Sequence, residues 1–262
     1  MSHDTWAYVA SYAGMVEYSI FDVQGKCVAQ ACVSHAQFNA KSPQAIARVL
    51  DVDFVILDGA HMGPPVTCPA QLASPIEIGE SHANLARFID PSAPAQSFAQ
   101  TAALGAFVAD HPKWDGIVIL AGPVSTWAHI SAGELISFRT SIGLQVALNV
   151  LHTRSLEVSP DLNNAFSDAV SNGLSQPETV FSKLSEDTSP DVYLGLALGA
   201  EMAAFRTYWL GQEIVVLGNH VAASLIEAAL KSQFAMVRMD ATDYFTRGVR
   251  AIREHILGIA VS

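Results

Sequence analysis

Asp58 and His61 stand three residues apart, just after the apolar run Phe54-Val55-Ile56-Leu57. A carboxylate and an imidazole at that spacing can supply a general base or a metal contact. A turn aspartate beside an ordinary loop histidine is the plainer alternative, and spacing leaves both open. Arg139 carries a planar guanidinium, which can grip a carboxylate through two parallel hydrogen bonds. An ion pair that stabilises the fold is its structural alternative. Glu17 and His129 fall in strand-like stretches, where a solvated face explains the first and packing or exposure the second. Glu201 and Arg206 lie five apart in a stretch rich in alanine and leucine, and read as polar contacts within the packing. Trp114, Trp127 and Trp209 read as core filling. Zinc spacings, a Walker loop, a dinucleotide Gly-x-Gly-x-x-Gly and a nucleophile elbow are all missing from the sequence. The three cysteines are Cys27, Cys32 and Cys68. Cys27 and Cys32 are an odd number of residues apart on one predicted strand, so they point to opposite faces and do not grip one metal together.

These side chains sit in a chain of 262 residues, half of them hydrophobic and 15% charged, which is enough apolar material for a sizeable core. The formal net charge of −11 excludes nucleic acid and anionic membrane as expected partners. An anionic ligand needs a local positive site against that field. The start, MSHDTWAYVA, has no basic segment followed by a long apolar run. The apolar stretch from Tyr193 to Phe205 is short and interrupted by Glu201. With an odd cysteine count, the expectation is a reducing cytoplasm and free thiols. A homodimer is the default expectation for assembly.

The elements that position these residues come from a pattern that occurs twice. AYVASYAGMVEYSIFDVQGKCVAQACV starts at Ala7, and GIVILAGPVSTWAHISAGELISFRT starts at Gly116. Each reads as an apolar strand, a loop of small residues, a second strand, a polar turn and a third strand. The loops offer few polar side chains, with Ser11 in the first and Ser125 in the second as possible donors to a phosphate. Strands are predicted over 6–10, 16–23, 26–33 and 53–57, and helices over 44–50 and 95–110. Residues 62–80 hold four prolines and read as irregular or edge structure. In the second half the three strands fall over 117–140, with Ala132-Gly133 at a hairpin turn. Helices are predicted over 143–152, 161–173, 177–185, 190–209 and 221–231. Strands are predicted over 213–217 and 234–239, and Thr242 is placed to cap a last helix reaching 257. Phe54-Val55-Ile56-Leu57 before Asp58-Gly59 parallels Ile214-Val215-Val216-Leu217 before Gly218-Asn219. Duplication and strand order together give the expected fold: α/β, with two actin-like (ribonuclease H-like) lobes, each a mixed sheet with helices, and a cleft between them. The lobes are expected over 1–114 and 115–262, the second with a helical insertion over about 143–210.

Several segments resemble the 2-keto-3-deoxy-galactonokinase family of actin-like sugar kinases. Gly122, Ser125 and Trp127 match a family loop that usually reads Gly-Thr-His-Ser-Lys-Trp. Ser137-Phe138-Arg139-Thr140 matches the segment leading into the family's Thr-Gly-Glu. Leu198-Gly199-Ala200-Glu201 with Arg206 and Tyr208 is similar to its long helix, and 214–230 and 245–252 to its C-terminal part. The resemblance implies transfer of the ATP γ-phosphate, with Mg2+, to a hydroxyl of a keto-deoxy sugar acid. It implies phosphate-loop positions at Ser11, Gly14, Gly122, Ser125 and Thr126. It places the sugar acid at Arg139 and Thr140 and the nucleotide base near Gly218 and Asn219, while Asp58 and His61, which match no family element, are the catalytic candidates that the residues themselves offer.

Four polar elements of the family depart here. The first loop, usually Asp-Trp-Gly-Ser-Thr, is Ala10-Ser11-Tyr12-Ala13-Gly14, and an Arg-Gly-Glu-Glu element is Ser97-Phe98-Ala99-Gln100. Pro123, Val124 and Thr126 replace Thr, His and Lys of the second loop, and Gly143-Leu144-Gln145 replaces Thr-Gly-Glu. The methyl of Ala10 cannot hold magnesium, and Pro123 has no N–H for a phosphate. Two expectations therefore stand side by side. One is an ATP:2-keto-3-deoxy-galactonate phosphotransferase. The other is an inactive homologue that binds a sugar acid or serves as a regulatory or assembly partner, with no metal and no cofactor.

Overall fold

A computed structural model of the chain describes residues 5–12, 14–40, 42–59, 65–72, 75–93, 101–122, 124–157, 162–183, 189–218 and 220–258. His61, Asn219, Ala13, Pro123 and the 97–100 element lie outside the described residues. The chain divides into two compact units. Unit 1 holds Met1–Trp114, Ala132–Ser137 and Asp243–Ser262, and unit 2 holds Asp115–Ser131 and Phe138–Thr242.

In chain order the first elements are β1 (Thr5–Tyr12), β2 (Met15–Asp22), β3 (Cys27–Ser34), α1 (His35–Phe38), α2 (Pro43–Leu50) and β4 (Phe54–Gly59). They continue with β5 (Pro65–Thr67), β6 (Ala70–Gln71), β7 (Pro75–Ile78), β8 (His82–Leu85), β9 (Arg87–Ile89) and α3 (Thr101–Asp110). The sheet of unit 1 runs β3-β2-β1-β4-β8-β7. β1 is antiparallel to β2, with Ala10 opposite Glu17, and parallel to β4, with Ala10 opposite Asp58 and Ser11 opposite Gly59. Asp22 accepts from the backbone N–H groups of Gln24 and Lys26, which closes the Gln24-Gly25 hairpin. Pro43 opens α2 behind Ser42, whose hydroxyl accepts from Ala45 N. The proline-rich stretch contains β5, β6 and β7, with β7 on the sheet edge. β8 and β9 go unpredicted, because three or four residues are too few to show a period.

The second series begins with β10 (Gly116–Leu120), β11 (Ser125–Ser131) and β12 (Glu134–Ser141). Ala132 and Gly133 both have positive φ, 51° and 80°, as a two-residue hairpin turn requires. The first part of β12 clusters with unit 1, where Glu134 and Leu135 pair with Gln71 and Ala70. Helices α4 (Gly143–Thr153), α5 (Asn164–Ser175), α6 (Val180–Lys183), α7 (Pro190–Ala204) and α8 (Arg206–Trp209) follow. Then come β13 (Glu213–Leu217), α9 (Val221–Ser232), β14 (Met236–Asp240) and α10 (Tyr244–Ile256). The unit 2 strands run β14-β13-β10-β11-β12. All five residues of β10 are buried, as expected of an apolar strand covered on both faces.

Three sequence expectations need correction. The helix predicted over 190–209 breaks at Phe205 (φ −108°, ψ 28°), and the indole of Trp209 folds back to donate to the Met202 carbonyl at 2.8 Å. The indole thus satisfies a carbonyl freed at the helix end. The stretch predicted as a helix over 177–185 opens as a 3-10 turn, Pro177–Thr179, before α6. The last helix is capped by Asp243, not Thr242, because the Asp243 carboxylate accepts from Thr246 N at 2.9 Å.

The core of unit 2 gathers Ile119, Trp127, Leu144, Phe166, Leu198 and Val216 with their neighbours. α5 and α7 meet backbone to backbone. A Cβ on Gly199 would run into the Val170 carbonyl, and one on Gly195 into the Phe166 carbonyl. Among the described residues no helix is long and apolar enough to cross a membrane.

Candidate functional site

In unit 1 the loops after β1 and β4 leave from the same end of two parallel neighbours, the position where open α/β sheets bind ligands. Ser11 stands there, half-exposed, with its Oγ 2.8 Å from His35 Nε2 at the start of α1. In the sequence only the Ser34-x-x-Gln37 capping box marks the short helix that carries His35, and nothing there singles out His35 itself. Gly14 has φ +79° and open space where a side chain would be. Ala10 is buried, with Glu17 on one side and Asp58 on the other in the strand register.

Asp58 is 2% exposed. Its Oδ2 accepts from the Tyr8 hydroxyl, from Thr101 N at 2.8 Å and from Thr101 Oγ1 at 3.0 Å. It therefore ties β4 to β1 and satisfies an N–H at the first residue of α3, as a carboxylate at a helix start does. Glu17 accepts from the Gln30 amide at 3.5 Å. These residues fit Mg2+ poorly. Ala10 offers a methyl group, and an oxygen of Asp58 is engaged by three donors inside the fold. Among the described residues no group of three or more His, Cys, Asp or Glu stands together to hold a metal.

In unit 2 the corresponding end of the sheet gathers Gly122 after β10 and Gly218 after β13. These strands are parallel neighbours, with Leu120 opposite Leu217. Gly218 has φ +123°, and a Cβ there would stand 3.0 Å from His220 Nε2. Ser125 and Thr126, at the start of β11, are both buried. The Ser125 hydroxyl points inward, donating to Glu201 Oε1 at 2.5 Å. Trp127 Nε1 donates to the same oxygen at 2.8 Å. Glu201 is 5% exposed, and burial pushes its carboxyl above the ordinary 4.5, against the opposing pull of Ser125, Ser141 and Trp127. Glu201 and Arg206 fall on different helices, since α7 ends before α8 begins.

Arg139 and Thr140 are half-exposed near the end of β12. Arg139 Nη1 donates to the Phe138 carbonyl at 2.6 Å, and its guanidinium lies over the Tyr208 ring at 5.6 Å. The structure thus leaves Ser11 and Gly14 at this end of the unit 1 sheet, Ser11 turned to His35, and does not join them to Asp58, which turns to Tyr8 and Thr101. In unit 2 it brings Ser125 and Thr126 to the sheet end where Gly122 and Gly218 lie.

A family model described as 2-keto-3-deoxy-galactonokinase matches residues 100–252. No curated protein matches the chain. Among solved structures, a candidate 2-dehydro-3-deoxygalactonokinase from Sinorhizobium meliloti is similar, with TM-score 0.70 and 18% identity over 98% of both chains. The activator of 2-hydroxyisocaproyl-CoA dehydratase from Clostridium difficile, solved with bound ADPNP, is similar at TM-score 0.45 and 12% identity, over 99% of both chains. A candidate N-acetylglucosamine kinase from Porphyromonas gingivalis is similar at TM-score 0.42 and 10% identity, over 95% of this chain and 99% of that one. The fold is that of the Sinorhizobium meliloti structure, an actin-like α/β fold whose strand order repeats in the two units.

Proposed function

The chain belongs to the 2-keto-3-deoxy-galactonokinase family, and from that premise we propose a sugar-kinase-like protein that binds a keto-deoxy sugar acid and does not phosphorylate it. The observation that carries this reading is the end of β1. The family's acid is replaced by the buried Ala10, and Oδ2 of the neighbouring Asp58 is taken up by Tyr8 and Thr101. Phosphoryl transfer relies on positioning and charge neutralisation, so losing groups worth about 3 kcal/mol each costs many powers of ten in rate. The inward turn of the Ser125 hydroxyl supports the same reading, because that donor already serves Glu201. Arg139, backed by Tyr208, is the proposed grip on the acid's carboxylate, with Thr140 beside it. The partner is then a small molecule, and a cytoplasmic homodimer completes the proposal.

A kinase is the second reading, favoured by the family match over residues 100–252. It needs ATP and Mg2+, phosphates at Ser11, Gly14, Gly122, Ser125 and Thr126, a base at Asp58 or His61, and a nucleotide near Gly218 and Asn219. Calorimetry with 2-keto-3-deoxy-galactonate alone, then with ATP–Mg2+, separates the two. Acid binding without nucleotide and without ADP release is expected. Magnesium-dependent ADP release would overturn the non-catalytic reading. Unchanged acid affinity in Arg139→Ala would reject the Arg139 contact.

A further inference from the structure

Unit 1 holds a cavity of about 350 Å3 between α3 and α10, bounded also by the end of β6, the β8–β9 turn and the Ala132-Gly133 hairpin. That volume falls within the range of small-molecule sites. Leu72, Leu85, Ala86, Phe88 and Ala102 form its deep walls and are all buried. Among the described residues, the lining has no lysine, arginine, aspartate or glutamate. Its polar members are Gln71, Thr101 and His255. Two of them already spend their donors inside the fold. Gln71 Nε2 donates to Glu134 at 2.9 Å, and Thr101 Oγ1 donates to Asp58 at 3.0 Å. His255 is exposed near the end of α10, where its ring can exchange a hydrogen bond with a bound molecule. Gly105 is a second, independent sign. It stands inside α3 without a left-handed φ, and a Cβ there would meet nothing within 4 Å. A glycine inside a helix weakens it relative to alanine. Packing explains Gly248 of α10, where a Cβ would run into the Ala102 carbonyl. No neighbour demands a glycine at Gly105, and its missing side chain keeps the cavity clear.

We propose that this cavity binds a small uncharged molecule with an apolar body and one hydroxyl or carbonyl group that meets His255. At the ~30 Å3 that one water takes in the liquid, the space holds roughly a dozen non-hydrogen atoms. An ionised ligand is disfavoured, because no charged side chain in the lining pairs with it. The proposal is independent of the sugar-acid reading. Octanol is the probe, with octanoate as its charged counterpart of similar size. Each is titrated into the full chain carrying 13C-labelled alanine methyls. Octanol should give saturable shifts at Ala86, Ala102, Ala106, Ala109 and Ala251, and octanoate should bind about tenfold more weakly or less. Gly105→Leu fills the cavity from α3. It should melt no lower than the parent, since leucine is the better helix former, and should bind octanol at least about tenfold more weakly. Absence of saturable shifts, shifts centred on other alanines, octanoate affinity equal to that of octanol, or a Gly105→Leu variant with full octanol affinity would each overturn the proposal. Should Gly105→Leu fail to fold, the location of the shifts in the parent still decides. The same methyls shifting on a rise in protein concentration alone would mean that a second copy covers the cavity, and the proposal would fall.

Discussion

At the scale of single residues, two buried carboxyls do structural work in this fold. Asp58 holds Tyr8 and the start of α3, and Glu201 holds Ser125 and Trp127. Asp58→Ala would strand the Tyr8 hydroxyl and the Thr101 N–H, and should cost about 3 kcal/mol of stability in urea unfolding. The Glu201 carboxyl has its pKa raised in the folded state, so the sign of its pH linkage is fixed. Its contribution is fully present below the unfolded value of 4.5 and is lost as pH rises from there through the folded value. Across that window the parent should lose stability relative to Glu201→Gln, as read from melting temperatures at a series of pH values. The cysteines divide in a similar way. Cys68 is buried, and burial, with Asp90 nearby, pushes its thiol up to about 11, whereas Cys27 and Cys32 are exposed. An alkylating reagent at pH 8, followed by mass spectrometry, should label Cys27 first, Cys32 more slowly because partial burial and Glu17 raise its pKa, and Cys68 only when the protein unfolds.

At the scale of elements, the meeting of α5 and α7 is the tightest packing in unit 2. Gly199→Ala forces a methyl into the Val170 carbonyl, and neither helix backbone can yield cheaply. A loss of up to about 3 kcal/mol in denaturant unfolding is expected. The elements were largely legible from sequence wherever local chemistry decides them. The β13 strand, Glu213–Leu217, matches its apolar run residue for residue, and Ala132-Gly133 sits at its hairpin. Elements held by distant partners were not. β8 is held by parallel pairing with β4, where Val55 lies opposite His82. The candidate site shows the same limit. Ser11, Gly122, Ser125 and Gly218 stand out as small or hydroxyl residues after apolar strands. The engagement of Asp58, the inward turn of Ser125 and the pairing of Ser11 with His35 depend on residues 24 to 76 positions away. Spacing carries no signal at that range.

At the scale of the whole molecule, the duplicated strand order repeats in both units, but the chain does not divide cleanly between them. Unit 1 takes in Ala132–Ser137 and Asp243–Ser262 as well as Met1–Trp114. A fragment ending at Trp114 would lack α10, against whose Gly248 the Ala102 backbone of α3 packs, and whose Arg253 lies over Trp6 and Phe54. Such a fragment should show no cooperative melt by circular dichroism, while the full chain should melt cooperatively. α10 also closes unit 1 late. On the ribosome, the opening sheet must wait, with α3 uncovered, until the whole of unit 2 has been translated. This order leaves the nascent first half dependent on whatever shields its apolar faces in the meantime.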